Sequence, residues 1–159
     1  MTYQVGDKIV HPLHGAGAVC EIVSDRADGQ ERRYYVMLSP RGDMRIMIPV
    51  DGCEQIGIRP VLPREQAGSV LEAIPELGLS EAGSWNRRYR ENMIQIRSGD
   101  LMKVAAVIKS LVRKEHAAGL SNGERKMLHS AKQILLSELM LSQEWSYDEA
   151  EERLYAALG

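Results

Sequence analysis

The hydrophobic period of the chain changes once, near Pro60 and Pro63. Before these prolines, apolar and polar residues alternate in short runs, the period-two pattern of half-buried β-strands. After them, apolar residues recur every three or four positions, as they do along one face of an α-helix. Because each period suits only one kind of element, the sequence predicts an α+β chain of two units, residues 1–62 and 63–159.

Five short runs in the first unit predict a small, curled antiparallel sheet or partial barrel. Turn residues such as Asp28 and Gly29 separate the runs. Gly15 and Gly17 are predicted to serve a tight turn or a β-bulge. The runs are DKIVHP, GAGAVCEIV, RRYYVML, DMRIMIPV and EQIGIRPV.

The fourth run, DMRIMIPV, has the features of an edge strand. Pro49 has no amide hydrogen to donate to a neighbouring strand, which favours an edge strand or a strand end. Arg45, Met47 and Pro49 form the outward set, opposite Met44, Ile46 and Ile48. Exposed Met47 suits strand addition to the sheet of a partner protein. An edge merely protected by Pro49 and Arg45 fits these residues equally well.

The second unit is predicted to hold five helices. The first runs from about residue 64 to 74 and stops before Pro75. Residues that can cap free backbone amides mark the other starts: Ser80, Ser98 or Asp100, Ser121 with Glu124, and Ser146 with Glu149. The buried faces of the third and fourth helices are predicted at Leu101, Val104, Ile108 and Leu111, and at Leu128, Ala131, Leu135 and Leu139.

Positive charge is concentrated in one block of the chain. Residues 85–132 carry eleven Lys and Arg against four Asp and Glu, a net of +7, although the whole chain has a net charge of −2. Helices often carry Lys and Arg simply to interact with solvent, but they usually include similar numbers of Glu. The imbalance therefore favours a polyanionic partner such as nucleic acid.

Composition and motifs point away from catalysis, metals and membranes. His11, His14 and Cys20 would need Cys53 or a distant carboxylate to complete a zinc site, and their spacing does not close one. No phosphate-binding loop or nucleophile motif is present, so we expect no enzyme, metal or cofactor. Isolated cysteines and the lack of a signal or membrane-spanning pattern predict a cytoplasmic protein.

Trp85 stands at the head of the segment WNRRYRENMIQIRSG. On a helix, Trp85, Tyr89, Met93 and Ile96 share one arc, and Arg87, Arg90 and Arg97 lie on the opposite side. Tyr89, Met93 and Ile96 are expected to be buried. Trp85 falls in the first turn, so it could belong to the core or could insert into DNA beside the arginines; the residues alone leave both open.

Four segments together resemble the CarD/CdnL family of bacterial transcription factors. They are VGDKIVHPLHGAGAV, YYVMLSPRGDMRIMIPVD, WNRRYRENMIQIRSGD and LSNGERKML, in the same order along residues 3–141. The resemblance implies a Tudor-like amino-terminal domain, akin to the polymerase-binding module of transcription-repair coupling factors. It also implies a helical carboxy-terminal domain that lies on promoter DNA at the upstream edge of the melted bubble.

The resemblance also assigns roles to residues. The RNA polymerase β subunit, through its β lobe, is the expected protein partner, contacted by Arg26, Arg45, Met47 and Pro49. This chain departs from some family members, which have arginine in place of Met47 or of Asp25. Trp85 becomes the wedge at the DNA fork, and the basic block adds further expected DNA contacts at Arg87, Arg88, Arg90, Arg97, Arg125, Lys126 and Lys132.

The sequence thus predicts a monomeric, nucleoid-associated regulator of transcription initiation that bridges polymerase and promoter DNA. The alternative is an architectural DNA-binding protein whose first domain mediates self-association. The edge-strand motif argues against that alternative, because the family resemblance implies that this strand docks on RNA polymerase.

Overall fold

The computed structural model describes residues 2–78 and 84–159 and confirms the α+β class. Five strands form one antiparallel sheet in the order β4-β3-β2-β1-β5. Their bounds are β1 Lys8–His11, β2 Gly15–Ala27, β3 Gln30–Leu38, β4 Arg45–Pro49 and β5 Arg59–Pro60. The prediction that DMRIMIPV forms an edge strand is confirmed, since β4 pairs only with β3 among the described residues.

Turn chemistry explains where the long hairpin folds back. Asp28 and Gly29 join β2 to β3 with φ angles of 55° and 75°. Two consecutive positive φ angles are what a two-residue hairpin turn compatible with the strand twist requires. One side of the sheet covers a small core that includes Ile9, Tyr35 and Ile48.

Two expectations for the amino-terminal part are corrected. The run EQIGIRPV is not one strand: Cys53–Ile56 forms a single helical turn, α1, and only Arg59 and Pro60 pair as a strand. Gly52 and Gly57 bound this turn with φ angles of 81° and 104°, which favour a tight turn over extension. Gly17 serves neither turn nor bulge, because it lies where the Leu38 carbonyl approaches the backbone and a Cβ would come within 2.6 Å of it.

The carboxy-terminal part contains five α-helices within residues 64–78 and 84–159. They are α2 Arg64–Ala73, α3 Trp85–Ile96, α4 Leu101–Ala118, α5 Asn122–Gln143 and α6 Tyr147–Leu158, with a short 3-10 turn at Ile74–Glu76. The predicted faces of α4 and α5 are buried in one core with residues of α2 and α6. The burial of Ile96, and the partial burial of Tyr89 and Met93 against that core, is also as expected.

Caps fix the helix starts. Asp100 accepts hydrogen bonds from the backbone of Met102 and Lys103, so it, and not Ser98, caps α4. Ser121 and Glu124 form the predicted capping box of α5, and Ser146 caps α6. Ser84 caps α3 by accepting from the Arg87 amide; the predicted capping residue Ser80 lies outside the described residues.

The sheet and the helices pack against each other through α5. The Ala16 amide donates to Ser137 Oγ at 2.8 Å. The Arg59 guanidinium donates to both oxygens of Glu138, at 2.8 and 2.7 Å, and the Leu62 amide donates to the same carboxylate at 2.9 Å. Strand β2 and helix α5 are therefore in direct contact, and the boundary between residues 62 and 63 stays a prediction.

Candidate nucleic-acid interface and docking strand

Strand β4 presents an open edge with a mixed surface. Met47 is 56% exposed, and Arg45 and Pro49 are exposed beside it. Ile48, on the other face, is 1% exposed and belongs to the sheet core. The pleat therefore separates the exposed side chains of β4 from the core, so that a partner strand could pair here without unfolding the sheet.

The structure does not bring all the expected polymerase contacts together. Arg45 Nη2 lies 3.5 Å from Glu21 Oε2 on β2, an exposed pair. Arg26 is opposite Glu31 near the β2–β3 turn, five residues beyond Glu21. At about 3.3 Å per residue, Arg26 is ~17 Å farther along that strand. Arg45, Met47 and Pro49 thus form one group, and Arg26 stands apart from it.

Trp85 is the first residue of α3, directly after the Ser84 cap. It is 44% exposed, and its ring stacks on that of Tyr89 with centroids 5.2 Å apart and planes inclined by 22°. Tyr89 is itself packed against the helical core. The stack holds the indole in a defined orientation at the surface, which lowers the conformational entropy that Trp85 loses on binding.

The arginines of α3 are not equivalent. Arg87 Nε lies 3.1 Å from Glu91 Oε1, one helical turn along, so its charge is partly compensated. Arg88, Arg90 and Arg97 have no carboxylate partner among the described residues. Arg88 lines the same cleft as Trp85, whereas Arg90 lies farther along α3 and Arg97 is the residue at its end. Together these cations make the surface of the helix positive.

The other predicted DNA contacts fall in two places. Lys126 lines a cleft with Arg97, Tyr89 and Met93, so it adjoins the α3 surface. The prediction that Arg97 lies opposite Tyr89 and Met93 is therefore wrong, since Arg97 is only about 40° from Met93 around the helix axis. Arg125 is exposed one residue earlier, and its Nη1 donates to Asn122 Oδ1 at 3.4 Å. Both residues belong to the first turns of α5, and Lys126 extends the positive surface of α3.

Lys132 occupies a different environment. It lines a cavity of about 140 Å³ between the sheet and the helices, with Arg41, His129 and Tyr147. Its ammonium donates to Tyr155 at 2.9 Å and to Glu151 at 3.2 Å. Burial opposes the charged form of Lys132, but these hydrogen bonds outweigh it and raise the pKa. The structure therefore separates Lys132 from the group around Trp85.

A cleft of about 300 Å³ opens between the start of α3 and the end of α4, and Trp85, Arg88 and Tyr89 form one wall. Arg113 and Lys114 line the opposite wall. Sequence reasoning missed both, because a position on α4 reveals its neighbours on α3 only once the helices are packed. The only signal was that they belong to the basic block.

Lys114 is the less available of these two cations. Its Nζ lies 2.7 Å from Glu124 Oε2, and the Ser121 amide donates to Glu124 Oε1. Burial would raise the pKa of Glu124, but hydrogen bonds from Lys114 and Ser121 prevail and lower it. Glu124 is therefore ionised at neutral pH and offsets the charge of Lys114.

Neither a metal cluster nor a membrane helix is found in the part of the chain that the structure describes. No three His, Cys, Asp or Glu side chains there converge on a common point as metal ligands would. None of the helices there has both the length and the apolar character needed to cross a bilayer.

Comparisons with known proteins match both parts of the chain to family models, and most of the chain to a curated relative. The model described as "CarD-like/TRCF RID domain" matches residues 3–62, and the model described as "CarD, C-terminal domain" matches residues 69–155. A Bacillus subtilis (strain 168) protein named "Putative transcription factor YdeB" is 31% identical over 137 residues, which cover 86% of this chain and 90% of YdeB. Both parts of the chain and their order are therefore matched.

Proposed function

The chain belongs to the CarD/CdnL family of transcription regulators that act through RNA polymerase, and we propose that it stabilises the open promoter complex. In this proposal, β4 docks on the β lobe of the polymerase β subunit. Helix α3 then contacts DNA at the upstream fork of the bubble. The protein works as a monomer in the cytoplasm, at the nucleoid, and performs no catalysis itself.

The observation that carries this proposal is the placement of Trp85. A half-exposed tryptophan, held by Tyr89 at a helix start, shares a cleft with Arg88, which has no carboxylate partner among the described residues. Apolar side chains that insert between base steps are found in such positive surroundings, where phosphate contacts position them. Unstacking a closed base step costs a few kcal/mol, so Trp85 favours DNA that is already forked.

The docking step is supported by the open edge of β4. Met47 offers a flexible apolar contact, and the exposed backbone of β4 offers hydrogen-bonding groups to a partner strand. Arg45 and Pro49 flank Met47 on the same face. The alternative function is an architectural DNA-binding protein that self-associates through its first domain. The match of residues 3–62 to the model described as "CarD-like/TRCF RID domain" favours a polymerase partner over self-association.

The test is the Trp85→Ala variant. Because Trp85 is 44% exposed, we expect the melting temperature to stay within a few degrees of the parent. Loss of an aromatic–base contact of about 1–3 kcal/mol should shorten the open-complex lifetime by about one to two orders of magnitude. Binding to polymerase should be unchanged.

Two further variants give the comparison. Trp85→Phe keeps an aromatic ring and should recover most of the lifetime. Trp145 packs against the helical core, so Trp145→Ala should lower the melting temperature instead. A Trp85→Ala protein that unfolds early, yet stabilises open complexes normally per folded molecule, would overturn the wedge.

A further inference from the structure

The cleft beside Trp85 combines an apolar interior with a cationic rim. Trp85 and Tyr89 form an aromatic wall, and Leu111 and Met127, both at most 3% exposed, belong to the floor. Its volume of about 300 Å³ is at the lower end of the ~300–1,000 Å³ range of ligand sites. The cleft is therefore large enough for one flat ring with a polar substituent.

The charge of the rim selects an anion. Arg88 on α3 and Arg113 on α4 both line the cleft, and neither has a carboxylate partner among residues 2–78 and 84–159. Lys114 adds little because Glu124 compensates it. Two guanidinium groups on facing walls suit a phosphate, which guanidinium binds with two hydrogen bonds.

From these observations we propose that the cleft takes one unpaired nucleotide of a DNA strand opened beside Trp85. The base lies against the aromatic wall and the apolar floor, and its phosphate lies between Arg88 and Arg113. Besides the aromatic Trp85 and Tyr89, the uncharged polar side chains of the lining are Asn92 and Ser110, so few groups read the base edge and the site accepts any base. This inference rests on the proposed function, since the wedge supplies the unpaired nucleotide.

A nucleotide fits this cleft better than either a phosphate or an aromatic ring alone. An inorganic phosphate would leave the apolar floor empty, and a neutral aromatic compound would leave both guanidinium groups without an anion. The cleft is also continuous with Trp85. A strand parted by the indole therefore reaches it without crossing other protein surface.

Filling the cleft without altering charge tests its occupancy. Ala117 lines the cleft, and its exposed neighbour Ala118 lies outside it. In the full chain, Ala117→Trp should weaken binding to a forked duplex with an unpaired strand about five- to 150-fold, the loss of one stacked base. Ala118→Trp should leave that affinity unchanged, and neither variant should alter binding to closed duplex DNA.

An abasic probe shows that a base is what occupies the cleft. The forked duplex is made with a single abasic site at each of the first unpaired positions in turn. At one of these positions, the abasic site should weaken binding of the parent protein by the same factor as the Ala117→Trp substitution does on the intact probe. The same abasic site should cause no further loss of affinity in the Ala117→Trp variant.

A second pair of variants tests the phosphate contact. Arg113 and Lys103 are both exposed on α4, ten residues apart, and Lys103 lies outside the cleft. Arg113→Ala should lower affinity for the forked duplex about tenfold more than Lys103→Ala, with equal effects on closed duplex. Equal losses on forked DNA would overturn the role of Arg113.

Trp85→Ala, measured on the same probes, separates the two proposals. If it binds forked DNA as well as the parent does, the wedge itself is wrong. A second outcome is that Trp85→Ala loses affinity for forked DNA, while Ala117→Trp binds like Ala118→Trp and every abasic probe binds like the intact forked duplex. In that case the wedge stands and the nucleotide cleft is overturned.

Discussion

His11 illustrates how one residue ties the stability of the sheet to pH. The residue is 9% exposed, and its Nδ1 accepts a hydrogen bond from the Leu13 amide at 3.0 Å. Desolvation by burial, and then the charge of His14, lower the pKa of His11 below its ordinary 6.5. A protonated Nδ1 could no longer accept from Leu13, so the folded chain favours the neutral ring.

The sign of the pH dependence follows from this shift. Since the folded state binds fewer protons than the unfolded chain, stability is complete above pH ~6.5 and falls as pH drops from there through the folded pKa. We expect the melting temperature to decrease between pH 7 and 5. His11→Asn keeps an acceptor for Leu13 without a titrating ring, so this part of the decrease should vanish. A slope that persists in His11→Asn would assign it to another group.

At the residue scale, the sequence could predict which face of a helix a side chain occupies, but not always how exposed that side chain is. Ile96 and Tyr89 follow the helical period, so their burial was predictable. The same period placed Trp85 on their face, yet it is 44% exposed. A helical period describes only direction around the axis, and it cannot tell that the partner helix α4 leaves a cleft at the first turn of α3.

At the scale of elements, the arginines of α3 should differ in their contribution to DNA binding. Each phosphate contact releases counterions and adds about 0.9 to the slope of log affinity against log salt. Arg90 has no carboxylate partner among the described residues, so Arg90→Ala should lower the slope by about one. Arg87 must break its ion pair with Glu91, at 3.1 Å, before it can contact a phosphate. Arg87→Ala should therefore lower the salt slope by less than Arg90→Ala does.

Binding of the full chain to closed duplex DNA over a series of salt concentrations provides the measurement. For each variant taken by itself, the factor by which affinity falls should be similar on unrelated duplex sequences, because phosphate contacts carry no base information. An unchanged slope in Arg90→Ala would remove this residue from the interface. Equal slopes in the two variants would show that Glu91 does not restrain Arg87.

Strand β4 permits a separate test of polymerase docking. Met47→Glu places a charge in the proposed apolar contact without touching Ile48, which is on the core side. We expect loss of polymerase binding with a stability change below ~0.5 kcal/mol. Val5 is also exposed, at 61%, but lies outside the strand. Val5→Glu should therefore bind polymerase normally, and a large fall in melting temperature for Met47→Glu would show that Met47 supports the core.

Elements with strong local signals were the most predictable. The structure has the expected element at Pro49, at Asp28-Gly29 and at the Ser121–Glu124 capping box. Each of these signals acts within a few residues of its own position in the chain. The helical turn at Cys53–Ile56 was missed because Gln55, Ile56, Gly57 and Ile58 mimic strand alternation. Four residues are too few for a helical period to become visible.

At the scale of the whole molecule, the contact between sheet and helices was the part that the sequence could not predict. Glu138 lies within the buried face of α5 and is 0% exposed. Its partner Arg59 is 79 residues away on β5. A buried carboxylate without a partner costs several kcal/mol, so the pairing strongly favours one orientation of the two parts. This orientation fixes the position of Trp85 relative to β4.

Gly15 tests whether that fixed orientation matters. Its φ of +87° is unfavourable for other residues, and a Cβ there would lie 2.5 Å from Ser137 Oγ and 3.1 Å from Ile134 Cα on α5. Gly29 has a similar φ of +75°, but a Cβ there meets nothing within 4 Å. Both alanine variants incur the left-handed penalty of about 1–2 kcal/mol, so any larger loss in Gly15→Ala measures the interface.

We expect Gly15→Ala to lower the unfolding free energy more than Gly29→Ala, because the α5 backbone cannot yield as a side chain can. Since β4 is far from the added methyl in strand order, polymerase affinity should be equal in both. If docking and wedge act through one rigid body, the open-complex lifetime per folded molecule should shorten only in Gly15→Ala. Equal lifetimes, together with a larger stability loss in Gly15→Ala, would mean that the interface stabilises the fold without positioning Trp85.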